Sequence, residues 1–301
     1  MRANKGLAGL IAGDTSISKV DVGTNSLWYR GYDINDLCSK TSFLEVAYLL
    51  LHKDLPNYRQ LDEFKAFERT NRSIPNEMYT VFENLPKKAH PMDVLKMGVS
   101  MLGAFDEENK LGSNSHEQNL RKSMLLLAKM PTIVASSYRI SQGKEPIEPN
   151  SEQSFSENFL SMILGKKISD PLSIKTLDNS LILYAEHGYN ASTFSARVTA
   201  ATLSDLYNAV SSAIGTLKGP LHGGANEQVM YMLQEIGTPE KAKKYTLDKI
   251  NNKEKIMGFG HRLYRTGDSR TAVIKNLGPV SYTHLRAHET LRYLVCRLLL
   301  E

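Results

Sequence analysis

Eight histidines are present, and three stand in settings that could do chemistry. His222 lies in LKGPLHGGANE, among Gly219, Pro220, Gly223 and Gly224. Such a loop lets a ligand approach backbone amides closely, and a helix expected to begin near Ala225 offers a positive N-terminus. An imidazole held neutral by that positive charge is placed to meet a developing oxyanion; a plain turn is the other reading. His261 lies in MGFGHRLYRTGDSR, followed by Arg262, Arg265 and Arg270. A histidine there can donate to a carbonyl oxygen, and an arginine fork can grip a carboxylate or phosphate; a basic surface turn is the alternative. His187, in LILYAEHGYNASTF, reads first as a cap at the C-terminal end of an apolar helix.

Other chemistries fit less well. No zinc-ligand spacing of histidine or cysteine pairs occurs outside the last 23 residues. No nucleophile elbow supports a Ser-His-Asp arrangement. The His222 loop lacks the Gly-Lys-Ser/Thr of a P-loop, and Gly258-x-Gly260 is too short for a dinucleotide fingerprint.

The elements that must position these residues read as helices. Ser42-x-x-Glu45 is a capping box before an apolar run, and Pro91 suits a first helical position. Residues 121–140 form a long apolar stretch with a kink expected at Pro131. Ile174, Leu177, Leu181 and Tyr184 recur at helical spacing, as do Val198, Ala201, Leu206, Val210 and Ile214 more loosely. Val229, Met232, Leu233 and Ile236 form a stripe closed by Gly237, after which Thr238 and Pro239 open another helix. Strand signals are confined to a hairpin of 16–22 and 26–32 across Gly23-Thr24-Asn25, so a parallel α/β sheet is not expected. Residues 141–153 read as a loop, and His52, His90 and His116 sit in plain settings.

With 301 residues, 41% hydrophobic and 23% charged, the chain is neither disordered nor collagen-like. Two cysteines, Cys38 and Cys296, cannot make a disulfide framework. A net charge of +5, with acidic residues interleaved among basic ones, gives no basic stripe for nucleic acid. The longest apolar runs fall far short of a membrane span, and a cytoplasmic protein without nucleic-acid or membrane partners is expected. Beyond Gly278, PVSYTHLRAHETLRYLVCRLLLE holds six leucines, three arginines and no lysine. It resembles translated adapter or vector sequence, and residues 279–301 are expected to be non-native, with the native chain cut short near Leu277.

Together, GFGHRLYRTGDSR, LKGPLHGGANE and AEHGYNASTFSARV resemble signature blocks of the citrate synthase family. The N-terminal GLAGLIAGDTSIS, YRGYDI and AHPMDV extend the match collinearly; LYAEH and WYRGYDI point to the 2-methylcitrate synthase branch. Leu263 departs slightly, standing where Ile or Val is usual. The resemblance implies an all-α, two-domain, homodimeric fold. Its large domain would be 1–222 and its small domain 223–278, both incomplete. It implies condensation of oxaloacetate with acetyl-CoA or propanoyl-CoA, followed by thioester hydrolysis, with no metal or redox cofactor.

By the same resemblance, His187, His261 and Arg270 would bind oxaloacetate. His261 would also polarise its ketone, and His222 would stabilise the thioester enolate. Arg265 would contact CoA phosphate, with Gly258, Phe259 and Gly260 lining the thioester side. The family's proton-abstracting aspartate and two further substrate arginines lie beyond the signature and have no counterpart here, so the chain as written is expected to be inactive. The rival is a non-catalytic helical binding protein or degenerate fragment of the same fold, which would have little reason to keep His222, His261 and Arg270.

Overall fold

A computed structural model describes residues 13–111, 115–259 and 267–275. His261, Arg265 and Gly260 lie outside the described residues, as does the tail.

The chain opens with a small antiparallel sheet, β1 (Ser18–Asp21), β2 (Ser26–Tyr29) and β3 (Tyr32–Asp33). The expected hairpin forms, with Val20 opposite Leu27. Its second arm breaks, however. Arg30 and Gly31 both adopt positive φ (50° and 92°), and the chain turns back as a third strand. Leu27 and Tyr29 alternate inward and are fully buried, while Trp28 faces out, as strand geometry requires.

Twelve α-helices follow among the described residues: α1 (Ile34–Lys40), α2 (Phe43–His52), α3 (Tyr58–Thr70), α4 (Asn76–Glu83), α5 (Pro91–Phe105), α6 (His116–Ser141), α7 (Phe155–Leu164), α8 (Pro171–Tyr184), α9 (Ala191–Ala201), α10 (Leu206–Leu217), α11 (Gly224–Ile236) and α12 (Pro239–Asn251). The helical reading thus holds. Helix α6 runs through Pro131 as one element. The loose stripe from Val198 to Ile214 is two helices, separated at Leu203 (φ 64°) and packed closely on each other. Glu45 accepts from the Ser42 backbone N–H at 2.7 Å, the reciprocal half of the expected capping box. Thr238 stands at the N-cap of α12, but its side chain makes no capping hydrogen bond.

One core cluster joins α4, α5, α6 and α10 through Met78, Val99, Leu102, Ile133 and Ile214. A second packs Leu27, Tyr29 and Ile34 against Leu49, Ile182 and Leu183, with Val273 and Ile274 laid over it. That contact brings 267–275 back to the end of α8. Arg72, 2% exposed, locks α3 to the 142–154 connection. It grips Glu68 through Nε (2.8 Å) and a terminal nitrogen (2.7 Å), and donates to the Asn150 and Gln153 carbonyls. Helices α11 and α12 contain no buried residue and pack on each other. No described helix is long and apolar enough to cross a membrane.

Candidate active site

The site is built around residues 184–192, which connect α8 to α9. Tyr29 meets the end of α8 at the Ile182 carbonyl, which also accepts from the Ala185 N–H at 3.2 Å. Its hydroxyl donates to the Ile182 carbonyl at 3.0 Å and accepts from Glu186 N–H at 3.2 Å. Burial raises the Tyr29 phenol, so it stays protonated and able to donate. Glu186 then folds the turn: one of its oxygens accepts from Gly188 N–H (2.6 Å) and from Ser18 Oγ (3.0 Å). Gly188 has φ 68°, a conformation that favours glycine. Asn190 caps α9 by accepting from Thr193 N–H at 2.9 Å.

His187 therefore lies in this turn rather than on α8, which ends at Tyr184 with Ala185 as its cap. Tyr29 and Glu186 hold the end of the helix ahead of it. Beside His187 stands Asp268. Burial pushes the Asp268 carboxyl up, but hydrogen bonds and charge from Arg270, with a smaller contribution from His187, outweigh that and hold it below the ordinary range. Asp268 grips Arg270 through Nε (2.9 Å) and a terminal nitrogen (2.6 Å), and the guanidinium lies 5.6 Å from the Tyr184 ring centre. The structure thus brings His187 and Arg270, widely separated in sequence, to one place.

His222 reaches the first turn of α9, which this connection leads into. Its Nε2 is 2.7 Å from Ser192 Oγ, which also lies 3.0 Å from the Ala213 carbonyl. The loop carrying it is tightly folded, with His222 N–H on Gly219 O (2.9 Å), Gly224 N–H on Gly219 O (3.1 Å) and Ala225 N–H on His222 O (3.0 Å). A Cβ on Gly224 would fall within contact distance of the Lys218 carbonyl and 2.9 Å from that of Gly219, so glycine is required there. Helix α11 begins at Gly224, one residue from the expected start. Burial lowers the His222 pKa. Desolvation thus favours the neutral ring, where the sequence reading looked to nearby positive charge as the cause.

Ser192 has one proton and two acceptors in reach. If it donates to Ala213 O, His222 must present Nε2–H to it. If it donates to His222 Nε2, a neutral imidazole carries its proton on Nδ1 and can donate to a ligand oxygen. The second state is the one an oxyanion site needs.

Gly258 (φ 83°) packs on Val229 of α11, and Phe259 is 78% exposed. They lie on the α11 side of the molecule. Sequence reasoning missed three participants: Ser192, two residues after the Asn190 cap; Tyr29, which holds the turn; and His90, which was read as plain. His90 is the N-cap of α5, accepting from Met92 N–H on Nδ1, and it pairs with Glu227. The signal was the histidine directly before Pro91, where a side chain must replace missing backbone partners. Among the described residues no group of three or more His, Cys, Asp or Glu could hold a metal ion.

The chain matches the family model described as citrate synthase, C-terminal domain, over residues 6–292. It is 48% identical over 274 residues to citrate synthase of Mycolicibacterium smegmatis, covering 91% of this chain and 72% of that protein. It is 46% identical over 271 residues to 2-methylcitrate synthase of Mycobacterium tuberculosis, covering 90% and 68%. Among solved structures, citrate synthase from Pyrobaculum aerophilum superposes with a TM-score of 0.84 at 40% identity, covering 94% of this chain and 71% of that one. The Thermoplasma acidophilum enzyme, in a ternary complex with carboxymethyl coenzyme A and oxaloacetate, gives 0.86 at 28% identity, covering 98% and 77%.

Proposed function

The chain belongs to the citrate synthase family, and we propose that its site condenses oxaloacetate with acetyl-CoA or propanoyl-CoA. The product thioester is then hydrolysed to citrate or 2-methylcitrate and CoA. The observation that supports this reading best is that His187 and Arg270 meet at Asp268 just before α9, while His222, whose burial favours the neutral ring, bonds Ser192 in the first turn of α9.

In this reading the Arg270 guanidinium, oriented by Asp268, meets a carboxylate of oxaloacetate, a charge-assisted contact suited to its planar fork. His187 adds a second ligand to oxaloacetate, and His261 donates to its ketone oxygen, making the carbonyl carbon electrophilic. His222, with Ser192 donating to Nε2, directs Nδ1–H at the thioester oxygen. It stabilises the enolate formed when the α-proton leaves. The enolate carbon attacks the ketone, and water then cleaves the thioester. Arg265 takes a CoA phosphate, and Gly258, Phe259 and Gly260 line the thioester side. None of these steps calls on a metal or redox cofactor.

The base for the α-proton is assigned by family resemblance to an aspartate with no counterpart identified in this chain. The reading is therefore tested first at its oxaloacetate site. Acetyl and propanoyl groups differ by one methylene, a discrimination worth about 1–3 kcal/mol, so both thioesters enter the test.

We further assign the chain to the cytoplasm and to a homodimer, with domains dividing at 222/223. Helix α9, none of whose residues is buried, supports the dimer. It exposes Phe194 (37%) and Val198 (53%), with Leu203 (83%) just beyond its end; such a patch suits an isologous contact.

Calorimetry with oxaloacetate tests the reading. Binding by the wild-type chain and its loss in Arg270→Leu are expected. Absence of binding by the wild type at millimolar oxaloacetate overturns the function. CoA release from either thioester overturns the expected inactivity alone.

A further inference from the structure

The loop that carries His222 is held at both ends by one helix. At its start, Lys218, the C-cap of α10, places Nζ 2.5 Å from Asp93 in the first turn of α5. At its far side, Glu227, in the first turn of α11, lies 3.3 Å from His90 Nε2, and His90 is the N-cap of the same α5. Residues 218 and 227 thus bracket His222, and their partners stand three residues apart on one helix terminus.

The contacts are chemically consistent with each other. His90 Nδ1 accepts from Met92 N–H at 3.2 Å, so in the neutral ring the proton is on Nε2 and points at Glu227. The other Glu227 oxygen accepts from Tyr231 Oη at 2.7 Å, so both oxygens are engaged. The histidine side chain completes the N-cap of α5 and the tether to α11 with its two nitrogens. That dual use explains a histidine at a position where serine, asparagine or aspartate would cap as well.

We propose that the first turn of α5 is a positioning element for His222, with the His90–Glu227 and Asp93–Lys218 contacts as its two tethers. This deepens the proposed function, since it rests on His222 being the group that meets the thioester oxygen. A catalytic imidazole displaced by less than an ångström loses its alignment with the reacting atom. Between residues 218 and 227 the loop has four internal backbone hydrogen bonds to resist such displacement. Both pairs are partly exposed, with side-chain exposures of 29–47%, so each contributes modestly.

The experiment uses the full chain with isotope-labelled histidine. It reads the His222 ring titration by NMR and the hydrogen exchange of the Gly224 and Ala225 amides. Glu227→Ala removes the tether. His90→Asn keeps a favourable cap on α5 but cannot reach Glu227. Glu227→Gln keeps an oxygen that His90 Nε2–H can still use. Glu227→Ala and His90→Asn are expected to raise the His222 titration midpoint toward the ordinary imidazole value, as the loop loosens and water reaches the ring. They should also speed exchange of both amides about two- to fivefold. Glu227→Gln should match wild type in both readouts. A fall in thermal stability with an unmoved His222 titration reduces the contact to a structural one and overturns the proposal, as does a Gln variant that behaves like Ala. If Glu227→Ala does not fold, His90→Asn carries the same test. Oxaloacetate calorimetry separates the two claims: a chain that ignores oxaloacetate, yet whose His222 responds to Glu227, refutes the function and keeps the tether.

Discussion

Replacing Ser192 by alanine isolates the contact on which the role of His222 depends. Ser192 Oγ is 2.7 Å from His222 Nε2 and 3.0 Å from the Ala213 carbonyl. The Ala213 carbonyl lies within α10 and retains an intrahelical partner. The loss therefore falls on the half-buried imidazole nitrogen. A typical hydrogen bond contributes about 0.5–1.5 kcal/mol net, so Ser192→Ala should lower unfolding stability by about that amount in urea. In the state the proposed role requires, Ser192 gives up its bond to the Ala213 carbonyl, donates to Nε2 and holds the proton on Nδ1, so the ring nitrogen shifts should report a protonated Nδ1 with an unprotonated Nε2. In Ser192→Ala nothing fixes that tautomer, and the two nitrogens should report a mixture. The same 0.5–1.5 kcal/mol, applied to a thioester oxygen at Nδ1, weakens binding of a non-reactive thioester analogue roughly 2- to 13-fold. Unchanged ring shifts with unchanged analogue binding would refute the reasoning, because Ser192 would then not be setting the proton of His222.

Other perturbations follow from the same structure. Arg72→Met leaves Glu68 buried and unpaired and should cost about 3–5 kcal/mol, whereas the Arg72→Met/Glu68→Leu double variant should recover most of it; additive losses in urea unfolding would contradict this. Gly224→Ala forces a Cβ against the Lys218 and Gly219 carbonyls and should destabilise by about 1–3 kcal/mol while shifting His222 resonances. Burial lowers the pKa of both His222 and His52, the latter with a smaller push from His116. Their stabilising contribution is therefore present above about pH 6.5 and is lost as pH falls through the folded values. His52 Nε2 is buried without a hydrogen-bond partner, and the ring stacks on Tyr48 at 4.0 Å. His52→Phe should keep the stack, raise stability by about 1 kcal/mol and flatten the acid limb of the stability curve. A steeper limb would contradict the assignment.

Much of the local architecture was legible because it is written in short-range chemistry. Pro91 at a first helical position, Gly237 at a helix end and the glycines around His222 each have one good structural use. The helical reading held for the same reason. Long-range placement was not legible. Nothing near His187 announces Asp268, whose segment returns to this part of the fold with Val273 and Ile274 packed over the second core. The break of the second strand at Arg30 was missed because a positive φ on arginine has no sequence signature, unlike the glycine beside it. The split between α9 and α10 was missed for the same reason, since the turn there uses Leu203. His90 looked plain because its partner, Glu227, is remote in sequence. The lowered pKa of His222 was anticipated from another cause, since desolvation depends on packing that one loop cannot reveal.

The central claim, that His222 meets the thioester in a site already holding oxaloacetate, is tested most directly by one titration. Acetyl-CoA or propanoyl-CoA is added to the oxaloacetate-loaded chain while the His222 ring resonances are followed. Saturable movement of the His222 signals, abolished in Arg270→Leu where oxaloacetate no longer binds, is the predicted result. Thioester binding that leaves His222 unmoved, or movement that ignores oxaloacetate and Arg270, contradicts it.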